Sequence, residues 1–144
     1  MIKKVVKLNT KEHASDSVEL SWFDMHKPNL TAITQKGVEF IVKVKGSHLH
    51  VNDILVCDDG YAIAINRAHD DVYILEFKDA LLFAKTAYEI GNRHQPINIE
   101  NNKITALQDL SIEDIILNLE RDESVSVAKT KTFFKSNAKA SHSH

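Results

Sequence analysis

From Val72 to Lys131 the apolar residues switch repeatedly between two periods, and the order of the switches leaves few folds open. Val72 to Phe77 reads as a strand. Asp79 is placed to cap the helix that follows, since a short carboxylate can accept the free N–H groups of a first helical turn. Ala80, Phe83, Ala84, Ala87 and Gly91 then fall at helical spacing on one face. Ile97 to Ile99 and Lys103 to Leu107 are short strand candidates joined by the turn Glu100-Asn101-Asn102. Ser111-Ile112-Glu113-Asp114 has the form of a capping box, and Ile112, Ile115, Ile116 and Leu119 follow at i, i+3, i+4, i+7, which makes a second helix. Ser124 to Lys131 alternates around Val125 and Val127 as a last strand. The succession β-α-β-β-α-β is that of a ferredoxin-like domain.

The preceding residues keep one period, that of strands. Val38, Phe40, Val42 and Val44 alternate with Glu39, Ile41, Lys43 and Lys45, after the turn signal Gln35-Lys36-Gly37. Asp53 to Cys57 is an apolar run, and Asp58-Asp59-Gly60 reads as a hairpin turn into Tyr61 to Ile65. Val18 to Trp22 and Leu30 to Thr34 are further strands around Lys27-Pro28-Asn29, so this part is a small sandwich or barrel. Asn66 to Asp71 is a polar connector. The reading is therefore α+β with two domains: an all-β module over residues 1–70, a ferredoxin-like module over 71–134, and a short flexible tail over 135–144.

Bulk properties narrow the function. With 144 residues, 43% of them hydrophobic and 26% charged, the chain can bury a core and stay dissolved. A net charge of -2 gives no basic surplus for neutralising phosphates, so nucleic acid is not an expected partner. The single cysteine, Cys57, permits no intrachain disulfide, which suits a reducing compartment. Neither a signal peptide nor a long apolar run is evident, so the expectation is a cytoplasmic protein with no membrane partner.

The chemistry concentrates at Gly91-Asn92-Arg93-His94-Gln95-Pro96. Gly91 is the expected helix stop, because glycine accepts the left-handed conformation that ends many helices. Pro96 keeps the helix from resuming. His94 between them is held on a short turn, away from the core. Histidine is also enriched at Ser141-His142-Ser143-His144, a pattern often used for metal.

Ala87-Tyr88-Glu89-Ile90-Gly91-Asn92-Arg93-His94-Gln95-Pro96 resembles the signature of the urease accessory protein UreE family, roughly alanine-tyrosine-x-apolar-glycine-asparagine-arginine-histidine-x-proline. Leu20-Ser21-Trp22 and Asn52-Asp53-Ile54-Leu55 to Asp59-Gly60 extend the resemblance towards the N-terminus. It implies a non-catalytic nickel metallochaperone that is a homodimer through its ferredoxin-like domains, with both copies of His94 sharing one ion near the two-fold axis. It further implies that tail histidines, here His142 and His144, complete the site. Delivery would run through the urease accessory GTPase (UreG) to the urease apoprotein complex, with the N-terminal module contacting partner proteins or peptides.

Elementary chemistry agrees with that implication. One imidazole cannot hold nickel, whereas two related by symmetry supply two. Imidazole also suits zinc and copper, so preference must come from geometry and metal supply. Binding should weaken as pH falls through the ordinary histidine range, near ~6.5. The sequence departs from the family pattern where Glu89, Gln108 and Leu110 stand at positions that carry histidine in other members. Low stoichiometry follows, on the order of one or two ions per dimer.

Other residues offer weaker claims. His48-Leu49-His50 could chelate if it lay on a strand, where i and i+2 share a face, although Gly46-Ser47 before it suggests a loop. His13, His26 and His69 read as surface residues. Glu89 could lend an oxygen, and Arg93 could orient the turn or meet a carboxylate but cannot ligate metal. The alternative function is a protein-interaction adaptor of the urease maturation complex, with incidental metal binding. A hydrolase using Cys57 lacks any nucleophile motif, and an RNA-binding sheet would need a basic aromatic platform that is missing.

Overall fold

The computed structural model describes residues 1–8, 12–44 and 48–138. Backbone contacts divide the chain into two units, Met1–Ala68 and His69–His144.

The first unit contains β1 (Lys3–Leu8), β2 (Asp16–Leu20), β3 (Asn29–Ile33), β4 (Glu39–Lys43), β5 (Ile54–Cys57) and β6 (Ala62–Arg67), with one helical turn, α1 (Trp22–Met25). The six strands form a sheet in the order β2-β6-β5-β1-β4-β3. The pairs β2/β6 and β1/β4 are parallel and the rest antiparallel. The sheet curls until its edges communicate. Gln35 N donates to Ser17 O at 2.8 Å, and Lys36 N donates to the Asp16 carboxylate at 3.3 Å, so the turn between β3 and β4 reaches back to β2. Val18 and Leu20 of one edge share a core with Leu30, Phe40 and Val42 of the other, around Leu55 and Ile63.

Two expectations for this unit are corrected. Trp22 does not end a strand. Ser21 Oγ accepts from Asp24 N, and the Asp24 carboxylate accepts from Ser21 N, so a reciprocal capping box starts α1 there. The strand β1, Lys3-Lys4-Val5-Val6-Lys7-Leu8, is not predicted by its sequence, because most of its side chains stay exposed and no period-two pattern marks it.

The second unit holds β7 (Asp70–Phe77), α2 (Ala80–Asn92), β8 (Ile97–Glu100), β9 (Lys103–Leu107), a 3-10 turn (Leu110–Ile112), α3 (Glu113–Glu120) and β10 (Val125–Thr132). Its four strands lie in the order β10-β7-β9-β8, and every neighbouring pair is antiparallel. The stripe Ile112, Ile115, Ile116 and Leu119 is buried, as its spacing predicts, and packs with Tyr73, Leu75, Ile90 and Ile104. The start of this stripe differs from expectation. Asp109 accepts from Ser111 N at 2.8 Å and opens the 3-10 turn, while Ile112 precedes α3 without a side-chain cap.

The segment after Phe134 is corrected over 135–138. Ile97 N donates to Ala138 O at 2.8 Å and Ala138 N donates back to Ile97 O at 3.0 Å, so these residues are tied to the outer edge of β8. Their small polar composition concealed this, since the bonds are to backbone. His142 and His144 lie outside the described residues. Among the described residues no helix is long and apolar enough to cross a membrane.

Candidate metal centre

The geometry around His94 begins with the helix that delivers it. Asp79 Oδ1 accepts from Leu81 N at 2.8 Å, which fixes the start of α2 as the sequence implies. The inward face is one residue out of step with the expected stripe. Thr86 and Ile90 are buried, with Leu82, Phe83 and Ala87 beside them, whereas Ala80 and Ala84 are exposed.

The helix stop is also displaced. Gly91 lies inside α2, and the left-handed residue is His94 itself, with φ of 61°. His94 N donates to Gly91 O at 2.9 Å and Gln95 N donates to Ile90 O at 3.3 Å. These are the two bonds of a Schellman closure with His94 at the first residue past the cap. Histidine is among the few side chains enriched in this region of backbone space. Pro96 follows, and Ile97 at 3% exposure anchors the next strand. His94 is therefore exposed on a turn held at both ends by buried isoleucines, Ile90 and Ile97.

Arg93 braces the turn from the side. Its guanidinium meets both oxygens of Asp114, at 2.8 Å for Nη2 to Oδ2, and Nη1 also donates to Ser111 O at 2.7 Å. The end of α2 is thereby bonded to the start of α3. The hydrogen bond from Arg93 brings the Asp114 carboxyl down to about 2, and the same bond raises Arg93.

Gly91 has an open surrounding. A Cβ built there would meet nothing within 4 Å. A glycine inside a helix costs about 0.5–1 kcal/mol relative to alanine, and no described neighbour in its own chain requires one. Next to it Ala84, Lys85, Tyr88 and Glu89 line a shallow depression on the outer face of α2, with Tyr88 at 74% exposure.

Among the described residues no three histidine, cysteine or carboxylate side chains are grouped to hold a metal ion. His94 alone of the expected ligands is placed, and it supplies one nitrogen. The pair His48 and His50 is not on a strand. Trp22, His26 and His48 stack in sequence, with ring centroids 3.8 and 4.2 Å apart, and the His50 ring is tilted by 42° against His48 at 4.4 Å. These three imidazoles are not grouped to hold a metal ion. His50 N donates to Asp53 Oδ2 at 2.9 Å. His26, read as a surface residue, belongs to this stack, and only the fold brings it to His48. His69 packs against Phe133. Cys57 is buried at 2% exposure and burial pushes its thiol up, the opposite of what a nucleophile needs.

Comparison with known proteins follows the two-unit division. Residues 70–144 match the model of the UreE urease accessory protein C-terminal domain, and residues 1–68 match that of the N-terminal domain. The chain is 60% identical over 144 residues to the urease accessory protein UreE of Aliarcobacter butzleri, covering 100% of this chain and 97% of that protein. It is 31% identical over 106 residues to the UreE of Lysinibacillus sphaericus, covering 73% and 72% of the two chains. With the UreE of Halalkalibacterium halodurans it shares 30% identity over 110 residues, 74% of each chain.

Proposed function

The chain belongs to the UreE family of urease accessory proteins, and we propose that it carries nickel to urease as a metallochaperone, holding the ion between two copies of His94. The observation that carries this reading is the placement of His94: exposed, left-handed, closed by two backbone bonds and braced through Arg93 and Asp114. A ligand fixed on a turn loses little further backbone entropy on binding. One nitrogen is too few for nickel, so the site needs a second chain or residues beyond 138. Gly91 and the exposed Tyr88 support a close approach by a second copy at the same end of α2. The strand order β10-β7-β9-β8 with two connecting helices supports a ferredoxin-like reading of this unit.

In this reading nickel is cargo and the protein is not an enzyme. His94 from each chain supplies an imidazole, and His142 and His144 add donors when the ion is bound. The ion passes to a partner, here the urease accessory GTPase and the urease apoprotein complex, in the cytoplasm. Zinc and copper compete at the same nitrogens, copper most strongly.

Calorimetric titration of nickel into the full chain and into its His94→Ala variant tests the proposal. Loss of the tight site in the variant is expected. Unchanged tight binding would sink the idea.

A further inference from the structure

The four-stranded sheet of the second unit has two faces, and α2 and α3 pack on one. Tyr73, Leu75, Ile97, Ile104 and Ala106 belong to the core on that side. Successive strand residues point to opposite faces, so Ile74, Asn98 and Thr105 lie on the other. The register sets these three in one row, with Asn98 opposite Thr105 and Thr105 opposite Ile74. Glu100 opposite Lys103 forms the next row across β8 and β9. Together with Phe133, Phe134 and Lys135, from the chain leaving β10, these rows line a cavity of about 190 Å³. None of the turn residues 91–96 lines it.

One wall of the cavity is fixed and carries an unanswered acceptor. Asn98 Nδ2 donates to Lys135 O at 2.9 Å, which sets the plane of the amide. Asn98 Oδ1 is buried and has no hydrogen-bond partner among the described residues. A buried acceptor without a donor is costly, and native chains keep few of them. Beside it Thr105 is 8% exposed. Glu100 and Lys103 stand 3.8 Å apart, too far for a hydrogen bond, so the pair leaves bonding capacity on both groups. The apolar side runs from the buried Phe134 ring to the exposed Phe133 ring.

This lining selects by chemistry. Asn98 Oδ1 calls for an N–H donor and disfavours an anion. Glu100, on the same face two residues along β8, favours a cationic donor. Lys103 and Lys135 call for a carboxylate at the other end of the ligand. The phenyl rings and Ile74 call for a short hydrocarbon. A cavity of about 150 Å³ holds benzene, so this one takes roughly six to nine non-hydrogen atoms. We propose that this face binds a free aliphatic α-amino acid of about leucine's size as its zwitterion. The ammonium sits on Asn98 Oδ1 and Glu100, the carboxylate on Lys103 and Lys135, and the side chain against the two phenyl rings. The site does not rest on the function proposed above.

The test follows backbone amide resonances of the full chain while L-leucine is added. Saturable shifts confined to Asn98, Glu100, Thr105 and residues 132–135 are expected, with a dissociation constant on the order of 1 mM or tighter. 4-Methylpentanoate lacks the ammonium and L-leucinamide lacks the carboxylate, and each should bind about tenfold more weakly. Asn98→Leu should weaken leucine binding about tenfold. Glu100→Gln, at an exposed position, should weaken it about two- to fivefold. No saturable shift at these residues, as for a cavity that takes only water, would overturn the inference. So would 4-methylpentanoate binding as well as leucine, or both variants binding leucine as the unaltered chain does. L-leucinamide binding equally would point to a peptide N-terminus instead and overturn the free amino acid.

Discussion

Arg93 and Asp114 form a two-pronged ion pair that bonds the end of α2 to the start of α3, one residue away from His94. Both groups are solvent-accessible, so the pair acts on the geometry of the turn more than on global stability. Asp114→Asn should speed amide exchange at His94 and Gln95, weaken nickel binding, and lower the unfolding midpoint near neutral pH by the small amount that acidification removes from the unaltered chain. The acid behaviour has a defined sign. A carboxyl at about 2 in the folded chain lies below its ordinary range, so its contribution is present above that range and is lost as pH falls towards about 2. That acid limb should be absent from the variant's pH–stability curve.

The left-handed backbone of His94 separates ligand chemistry from strain. Both His94→Gly and His94→Val remove the imidazole and should abolish tight nickel binding. Glycine accepts φ of 61° without strain and a β-branched residue does not. Urea unfolding should therefore find the glycine variant more stable than the valine variant by about 1–2 kcal/mol. Equal stabilities would contradict the left-handed placement.

Gly91 has opposite consequences in one chain and in two. Among the described residues nothing in its own chain obstructs a methyl group there, so Gly91→Ala should favour α2 by about 0.5–1 kcal/mol. If a second copy packs against this turn, the same change should weaken self-association. Sedimentation equilibrium beside thermal unfolding checks both signs together. A variant that gains stability and associates normally would remove the case for close approach at Gly91.

Tyr61 reports on the closure of the first unit. Its hydroxyl donates to Asp16 Oδ2 at 2.7 Å, and that bond, with burial, pushes Tyr61 up to about 12. Asp16 is itself buried. Burial pushes its carboxyl up, but hydrogen bonds from Thr34, Tyr61, Ser17 and Lys36 outweigh that and hold it low. A folded-state value raised above the ordinary tyrosine range means the contribution is complete below that range and is lost as pH rises through about 12. Ultraviolet titration should show one of the three tyrosines ionising late, and Tyr61→Phe should delete that step.

How much was legible in the sequence depends on where each residue's partners lie. The α3 stripe and the β8–β9 hairpin are local patterns, and Ile112, Ile115, Ile116 and Leu119 are buried as their spacing requires. The start of α2 was equally local, set by Asp79. Its end lies beyond Gly91, where glycine propensity alone points, because the Pro96–Ile97 anchor and the Arg93 brace hold the left-handed position at His94. Leu20-Ser21-Trp22 read as strand until the Ser21–Asp24 cap is considered. The Trp22–His26–His48 stack and the bonds of Ala138 to the β8 edge join residues distant in sequence, and no spacing rule exposes them. His94 itself was legible from the run around it; the Arg93–Asp114 brace that positions it was not.

The claim at the centre is that two chains share one ion through His94. Native mass spectrometry of the nickel-loaded protein measures this directly. The expected dominant species is two chains with one nickel, changing to two chains without metal for His94→Ala. Nickel carried by single chains, or retained by the His94→Ala dimer at the same occupancy, would contradict a shared His94 site.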